Sequence, residues 1–305
     1  MGMVREDPQP ARVSIGIPVF NGAPYLRETL DCIVGQTWRD SEIIISDNAS
    51  TDETPEICRA YAAADPRIRY HRADTNGGSA WNFNQVIRLS TGTYFKLANA
   101  DDLCDPTLVE RCVRVLDARP DVVACFGRTR LIDEQGSPIA DCDDDLHIQD
   151  ADPGDRFLTV LRRLGLVNMM QGLVRRDALM RTGLMESYLG SDMVLVAELA
   201  LHGRFHQLDE CLFYRRMHRQ AFSGLGSLDE KVAYMVPSQK GRAELYYWRH
   251  YVGYLRAIRR GPLSLRQKAT LLARVARRAV GAREALIDEI QSEMRSRLGR
   301  AAQAK

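Results

Sequence analysis

The 305-residue chain has no Gly-x-Gly-x-x-Gly after its first apolar strand and no Gly-x-x-x-x-Gly-Lys-Ser/Thr anywhere. Those loops bring backbone N–H groups up to a pyrophosphate or triphosphate, so the dinucleotide fingerprint and the P-loop are both missing. Its seven cysteines, at positions 32, 58, 104, 112, 125, 142 and 211, are odd in number and include no Cys-x-x-Cys pair. That argues against a disulfide framework and a zinc knuckle, and it fits a reducing cytosol. No apolar run approaches the length of a membrane span. The start, Met-Gly-Met-Val-Arg-Glu, has no apolar signal core and puts Glu6 where a myristoylation signal wants Ser or Thr. A cytoplasmic location is expected. Charge of one sign is also lacking overall, at a formal net +2, yet residues 229–305 hold 17 Lys and Arg against 7 Asp and Glu, while residues 1–228 hold 25 against 33. The tail is basic and the body acidic.

What is present is an alternation of strand-like and helix-like segments in a chain that is 45% hydrophobic and long enough for one large domain with an appendage. Val13 to Val19 reads as a buried strand, and Phe20-Asn21-Gly22 turns it into a helix from about Pro24 to Val34. A second strand, Glu42 to Ser46, runs into Asp47-Asn48-Ala49-Ser50-Thr51-Asp52, and the next helix has Pro55 in its first turn, where a missing N–H is harmless. Arg67 to His71 is a third strand, Asp74 to Gly78 a loop, Ser79 to Leu89 a helix, Thr93 to Ala98 a fourth strand, Pro106 to Ala118 a helix and Val122 to Gly127 a fifth strand. Long crossovers make such strands parallel and cover the sheet on both faces. The fold class is α/β, with a mostly parallel central sheet. Ligands of these sheets bind at the carboxyl ends of the strands. That rule places Pro18 to Asn21, Asp47 to Asp52, Arg72 to Gly77 and Asn99 to Asp102 on one rim.

The stretch Tyr94 to Asp105 carries the strongest chemical signal, because an apolar strand stops there in Asn99, Asp101 and Asp102. Adjacent carboxylates suit a hard divalent cation whose shell is completed by substrate phosphates. They equally suit a solvated loop ahead of the helix that Asp105-Pro106 would cap.

These residues resemble the family 2 glycosyltransferases with their GT-A fold. The resemblance runs from Val13 to about Ser223 and rests on Ile-Pro-Val-Phe-Asn-Gly at 17–22, Gln-Thr-Trp with Glu-Ile-Ile-Ile-Ser-Asp-Asn-Ala-Ser-Thr-Asp across 36–52, Asn76-Gly-Gly with Asn82 and Asn84, Ala-Asp-Asp at 100–102 and Ser-Asp-Met-Val-Leu at 191–195. It implies a nucleotide-sugar pocket at Pro18, Phe20, Asn21, Asp47, Arg72 and Asn76, with Asp47 accepting a hydrogen bond from the base. Outside the resemblance Asp47 reads as a turn or capping acid and Arg72 as a surface arginine. Asn99-Ala100-Asp101 stands where the family has Asp-x-Asp, so the first acid is here an amide. Asp101 is then the implied contact to Mn or Mg through the sugar diphosphate, Asn99 is left to hydrogen-bond ribose or a metal-bound water, and Asp102 is a supporting or sugar-hydroxyl contact.

In the second half, Asp192 opens a helix to His202, where a carboxylate also suits the helix dipole. The resemblance makes Asp192 the catalytic base, with Glu198 as the substitute. Cys211 to His218 reads as a strand ending in Arg215, Arg216 and His218, which the resemblance places beside the metal or the diphosphate. The acidic run 141–145 reads as a solvated loop. The expected organisation is a flexible segment 1–12, a catalytic domain 13–225 with a nucleotide-sugar half (13–127) and an acceptor half (128–225), and a basic helical extension 226–305. That extension is expected to pack on the domain, pair with a second copy or face anionic lipid at the membrane's inner surface, and it lacks a nucleic-acid motif. The implied function is inverting transfer from a nucleoside-diphosphate sugar to a hydroxyl of a glycan or lipid-linked acceptor in polysaccharide or lipopolysaccharide synthesis; the alternative is a catalytically silent nucleotide-sugar binder.

Overall fold

The computed structural model describes residues 11–142, 144–219, 228–235 and 245–303. The expectation for the first twelve residues therefore falls almost wholly outside the described chain. The amino-terminal half runs β1 (Val13–Val19), α1 (Ala23–Val34), β2 (Ser41–Asp47), α2 (Thr54–Ala64), β3 (Ile68–Arg72), α3 (Ser79–Leu89), β4 (Tyr94–Leu97), the two-residue β5 (Leu103–Cys104), α4 (Leu108–Ala118) and β6 (Val122–Ile132). After it come β7 (Pro138–Asp141), α5 (Pro153–Arg163), a 3-10 turn (Asn168–Gln171), β8 (Leu173–Arg175), α6 (Arg176–Met180), α7 (Ser191–His202) and β9 (Arg204–Arg216). The tail forms α8 (Leu228–Met235), α9 (Tyr246–Arg260), α10 (Leu265–Gly281) and α11 (Arg283–Gln303).

The strands make one sheet in the order β3-β2-β1-β4-β8-β6-β9-β5, with β7 on β6. Its first four strands are parallel, as long crossovers require, while β8 runs antiparallel between β4 and β6. The second half is thus mixed, and β6 and β9 pair in parallel over most of their length. Two of these strands are longer than their apolar content suggests. Residues Arg204 to Glu210 are polar apart from Phe205 and Leu208 and carry no period-two strand pattern of their own, and it is pairing with β6 that makes them extended.

Period-two alternation sorts the apolar residues onto two faces. Ile43 and Ile45 of β2 join one core with α1, α2 and α4, whereas Ile44 joins the other with α3. All three isoleucines are fully buried, each worth roughly 1.5–3 kcal/mol on transfer from water. Gly16 is required on the second face, since a Cβ there would lie 2.7 Å from Val86 Cβ. The larger core is built around α7, which is apolar on every side, as a helix enclosed by others must be. Its members include Tyr254, Ala257, Ile258, Leu263, Leu271 and Val275 from the tail. The carboxy-terminal helices are therefore packed into the α/β body.

Candidate active site

The rim at the carboxyl ends of β1, β2 and β4 is stitched together by short polar side chains. Asn21, in the left-handed region at φ +50°, donates its N–H to Ser50 Oγ at 2.9 Å, and its side-chain oxygen accepts from Thr51 N at 2.9 Å. Ala49 also has positive φ, +63°, a conformation held by the Ser50 N–H donating to Asp47 at 2.8 Å. Asn48 donates to Asn76 Oδ1 at 2.9 Å and accepts from Gly77 N at 2.9 Å, and Asn82 donates to the Val19 and Ser46 carbonyls. The asparagines of the motif thus fix loop shape.

Asp47 is fully buried at the end of β2. It accepts from Tyr70 Oη at 2.7 Å and pairs with Arg72 at 3.3 Å, so its oxygens are already engaged. Asp47, Arg72 and Asn76 do not line the main cleft. That cleft, about 950 Å³, gathers Pro18, Phe20, Asn21, Asn99, Asp101, Asp102, Asp192, Arg216 and His218.

Within it, Asp102 is tucked under the acidic loop, accepting from Arg216 N at 2.8 Å and from Asn99 Nδ2 at 2.8 Å. Burial, and next the neighbouring Asp101 carboxylate, push its carboxyl up to about 7. Asp101 keeps an accessible carboxylate, with one oxygen 3.0 Å from His218 Nε2. His218 in turn lies against the Tyr25 ring, centroids 4.7 Å apart. Arg216 is spent on structure: it donates to the Asp101 carbonyl at 3.0 Å, to the Glu134 carbonyl at 2.7 Å and to Glu28 at 2.6 Å, and it sits over the Tyr25 ring. Its buried guanidinium clamps the acidic loop to α1. Arg215 also lines the cleft and donates to Asn168 Oδ1 at 2.8 Å.

Does this site suit a divalent cation? Among the described residues no three His, Cys, Asp or Glu side chains cluster as a complete ligand set. One accessible carboxylate and one imidazole do converge, at Asp101 and His218, and Mg or Mn bound through substrate phosphates needs only one or two protein ligands. The residues fit such a shared cation, and Asn99, which donates to Asp102, adds no charge to it.

Across the cleft, Asp192 is the second residue of α7, two after Gly190, whose φ is +80°. A side chain at Gly190 would meet His250 Nε2 at 2.4 Å, so α9 packs closely against this turn. Burial raises the Asp192 carboxyl above the ordinary carboxylate range, against the Met193 N–H and the charges of His250 and Arg215. Glu198 faces the other way: its carboxylate, 1% exposed, accepts two bonds from Arg260, both 2.8 Å, and one from Gly183 N. It is a structural acid.

Sequence reasoning missed the wall that the tail supplies. Lys231, Tyr234, Tyr246, Tyr247 and Glu289 all line the cleft. A signal existed in Tyr246-Tyr247-Trp248, three consecutive aromatics in a chain that is 7% aromatic.

Residues 14–141 match the family model described as glycosyl transferase family 2. The match is confined to that segment, and the chain as a whole has the GT-A fold. It is 34% identical over 98 residues to the glycosyltransferase GlyG of Streptococcus pneumoniae, covering 32% of this chain and 33% of that one. Crystallised S. aureus TarS 1–349 in complex with UDP-GlcNAc superposes with a TM-score of 0.62 at 14% identity, covering 93% of this chain and 81% of that one. The mannosyltransferase PcManGT of Pyrobaculum calidifontis, in complex with GDP-Man and Mn2+, gives 0.51 at 19% identity, over 93% and 85%. The first two curated relatives are matched over only 14% and 35% of their lengths.

Proposed function

We propose that the chain is an inverting glycosyltransferase using a nucleoside-diphosphate sugar. The carrying observation is convergence: the β1 and β4 rims, His218 after β9 and Asp192 on α7 open into the same cleft. The nucleobase end is assigned to Pro18, Phe20 and the Asp47, Arg72 and Asn76 group. A base hydrogen-bonding to Asp47 must displace Arg72, which is half exposed and pairs at 3.3 Å. Asn21, Asn99 and Asp102 shape the ribose and sugar end, and Arg215 faces the diphosphate in place of the buried Arg216.

Asp192 takes the proton of the acceptor hydroxyl, and its raised pKa makes it a stronger base than an exposed carboxylate. The hydroxyl oxygen bonds to the anomeric carbon on the face opposite the diphosphate as the bond to the diphosphate oxygen breaks, so a single displacement inverts the centre. Asp101 and His218 would hold Mn or Mg, which supplies charge neutralisation to the departing diphosphate. The acceptor belongs to glycan or lipid-linked glycan synthesis. Among the described residues no helix is long and apolar enough to cross a membrane; a peripheral membrane contact or a second copy would meet the exposed Leu272, Val280, Ile287, Ile290 and Met294 on α10 and α11.

The test is a panel of nucleoside-diphosphate sugars assayed for transfer or hydrolysis with manganese, magnesium or chelator, comparing wild type with Asp192→Asn and Asp101→Ala. Metal-dependent turnover of one donor, lost in both variants, is expected. Nucleotide-sugar binding without turnover on mixed acceptors supports the second reading, a silent binder, which Asn99 in the acidic motif favours.

A further inference from the structure

We infer that the first turn of α9 is the acceptor subsite of the cleft and that it receives a saccharide through the apolar face of a pyranose ring. This rests on the sugar-transfer reading above and assigns its second substrate to named residues.

Position comes first. Tyr246 and Tyr247 line the cleft that contains Asp192. Tyr246 Oη lies 3.9 Å from the sulfur of Met193, the residue after Asp192. The phenol of Tyr246 is raised by burial and then by the charge of Asp192, as proximity to that carboxylate requires. A hydroxyl presented to Asp192 therefore sits on a molecule touching this turn.

Shape and chemistry come second. The rings of Tyr246 and Tyr247 stand edge to face, centroids 5.2 Å apart at 84°, forming a right-angled corner. Tyr247 is 45% exposed inside a concave wall, as are Tyr234 at 47% and Leu166 at 39%. Apolar surface left open in a cleft is surface awaiting a ligand. A pyranose offers a flat C–H face to an aromatic ring while its hydroxyls point outward to the phenols and to Lys231 and Glu289 on the same wall. A peptide docking by strand addition would need a strand edge, whereas Tyr234, Tyr246, Tyr247 and Glu289 all stand on helices.

Third, the corner is rigid. The Glu289 carboxylate of α11 accepts from Tyr247 N at 2.8 Å and Trp248 N at 3.3 Å, Trp248 Nε1 donates to the Leu286 carbonyl at 2.9 Å, and His250 Nδ1 donates to the Tyr246 carbonyl at 2.6 Å. A preformed turn loses little entropy on binding. It also lies outside the 14–141 segment that matches the family model.

The experiment measures saturation-transfer NMR of methyl and p-nitrophenyl pyranosides with the full chain, n-octanol serving as an alkyl control, in wild type, Tyr247→Ala and Tyr247→Phe. Melting curves and nucleotide affinity report that the variants are folded. Expected are contacts concentrated on one face of the sugar ring, dissociation constants raised about fivefold or more in Tyr247→Ala, and recovery in Tyr247→Phe. Unchanged affinity in Tyr247→Ala overturns the assignment, as does binding that follows alkyl chain and ignores the ring. Because the readout is binding, saccharide contact without donor turnover would sink the enzyme reading and leave the subsite standing, while donor turnover without ring contact would do the reverse.

Discussion

Asp192, the base of the proposed reaction, also bears on stability. Its folded pKa is raised above the unfolded value, so its contribution to stability is present below the unfolded pKa and is lost as pH rises through the folded one. At pH 7 the charged, partly buried carboxylate is expected to cost stability. Asp192→Asn should raise the melting temperature at pH 7, with little gain at pH 4, while lowering turnover on the order of 10³-fold. Wild-type turnover should climb with pH along an acid limb lying above the ordinary aspartate range; a limb at the ordinary value would remove Asp192 as the base. A second residue-scale prediction concerns Cys32, whose thiol is held down to about 7 by the Cys104 thiol, 3.4 Å away, against the opposing effect of burial. Cys104, Cys125 and Cys58 are all pushed up. Iodoacetamide at pH 7.5 should modify Cys32 first, as peptide mapping would show, because the thiolate is the nucleophile.

At the scale of elements, the decisive joints are polar bolts between segments far apart in sequence. Arg260 of α9 pairs with Glu198 inside α7, and Arg216 of β9 ties α1, the acidic loop and the turn after β6 together. Arg260→Ala leaves Glu198 charged, buried and without its cation, and should cost on the order of 3 kcal/mol in denaturant unfolding. A loss below 1 kcal/mol would show that α9 is held by its apolar face alone. The strands β1, β2 and β4 were legible because their residues are apolar whichever neighbour they meet. The first half of β9 was not, since Arg204-Phe-His-Gln-Leu-Asp-Glu is extended only by virtue of β6.

For the whole molecule, the acidic body and basic tail invite a picture of two separable parts, and the packing denies it. Tyr254, Ala257, Ile258, Leu271 and Val275 lie in the same core as Phe157, Leu195 and Leu199. A chain ending at residue 227 exposes that face of α5 and α7, and should aggregate or bind a hydrophobic dye; a monodisperse, cooperatively melting fragment would contradict a shared core. By itself the sequence determined the α/β class, the parallel half of the sheet and the rim of Pro18, Asp47 and Asn99 to Asp102, because period-two burial and the polar ends of strands are local properties. The polar loop Asn99 to Asp102 after β4 was equally legible. Only the tertiary structure decided that Arg216 is a clamp, that Glu198 is paired off, that Asp47 is already engaged and that Tyr246 and Tyr247 complete the cleft. Each of those outcomes depends on which distant group a side chain meets once the chain is closed, and a guanidinium, a carboxylate or a phenol carries no mark of its partner in the residues beside it.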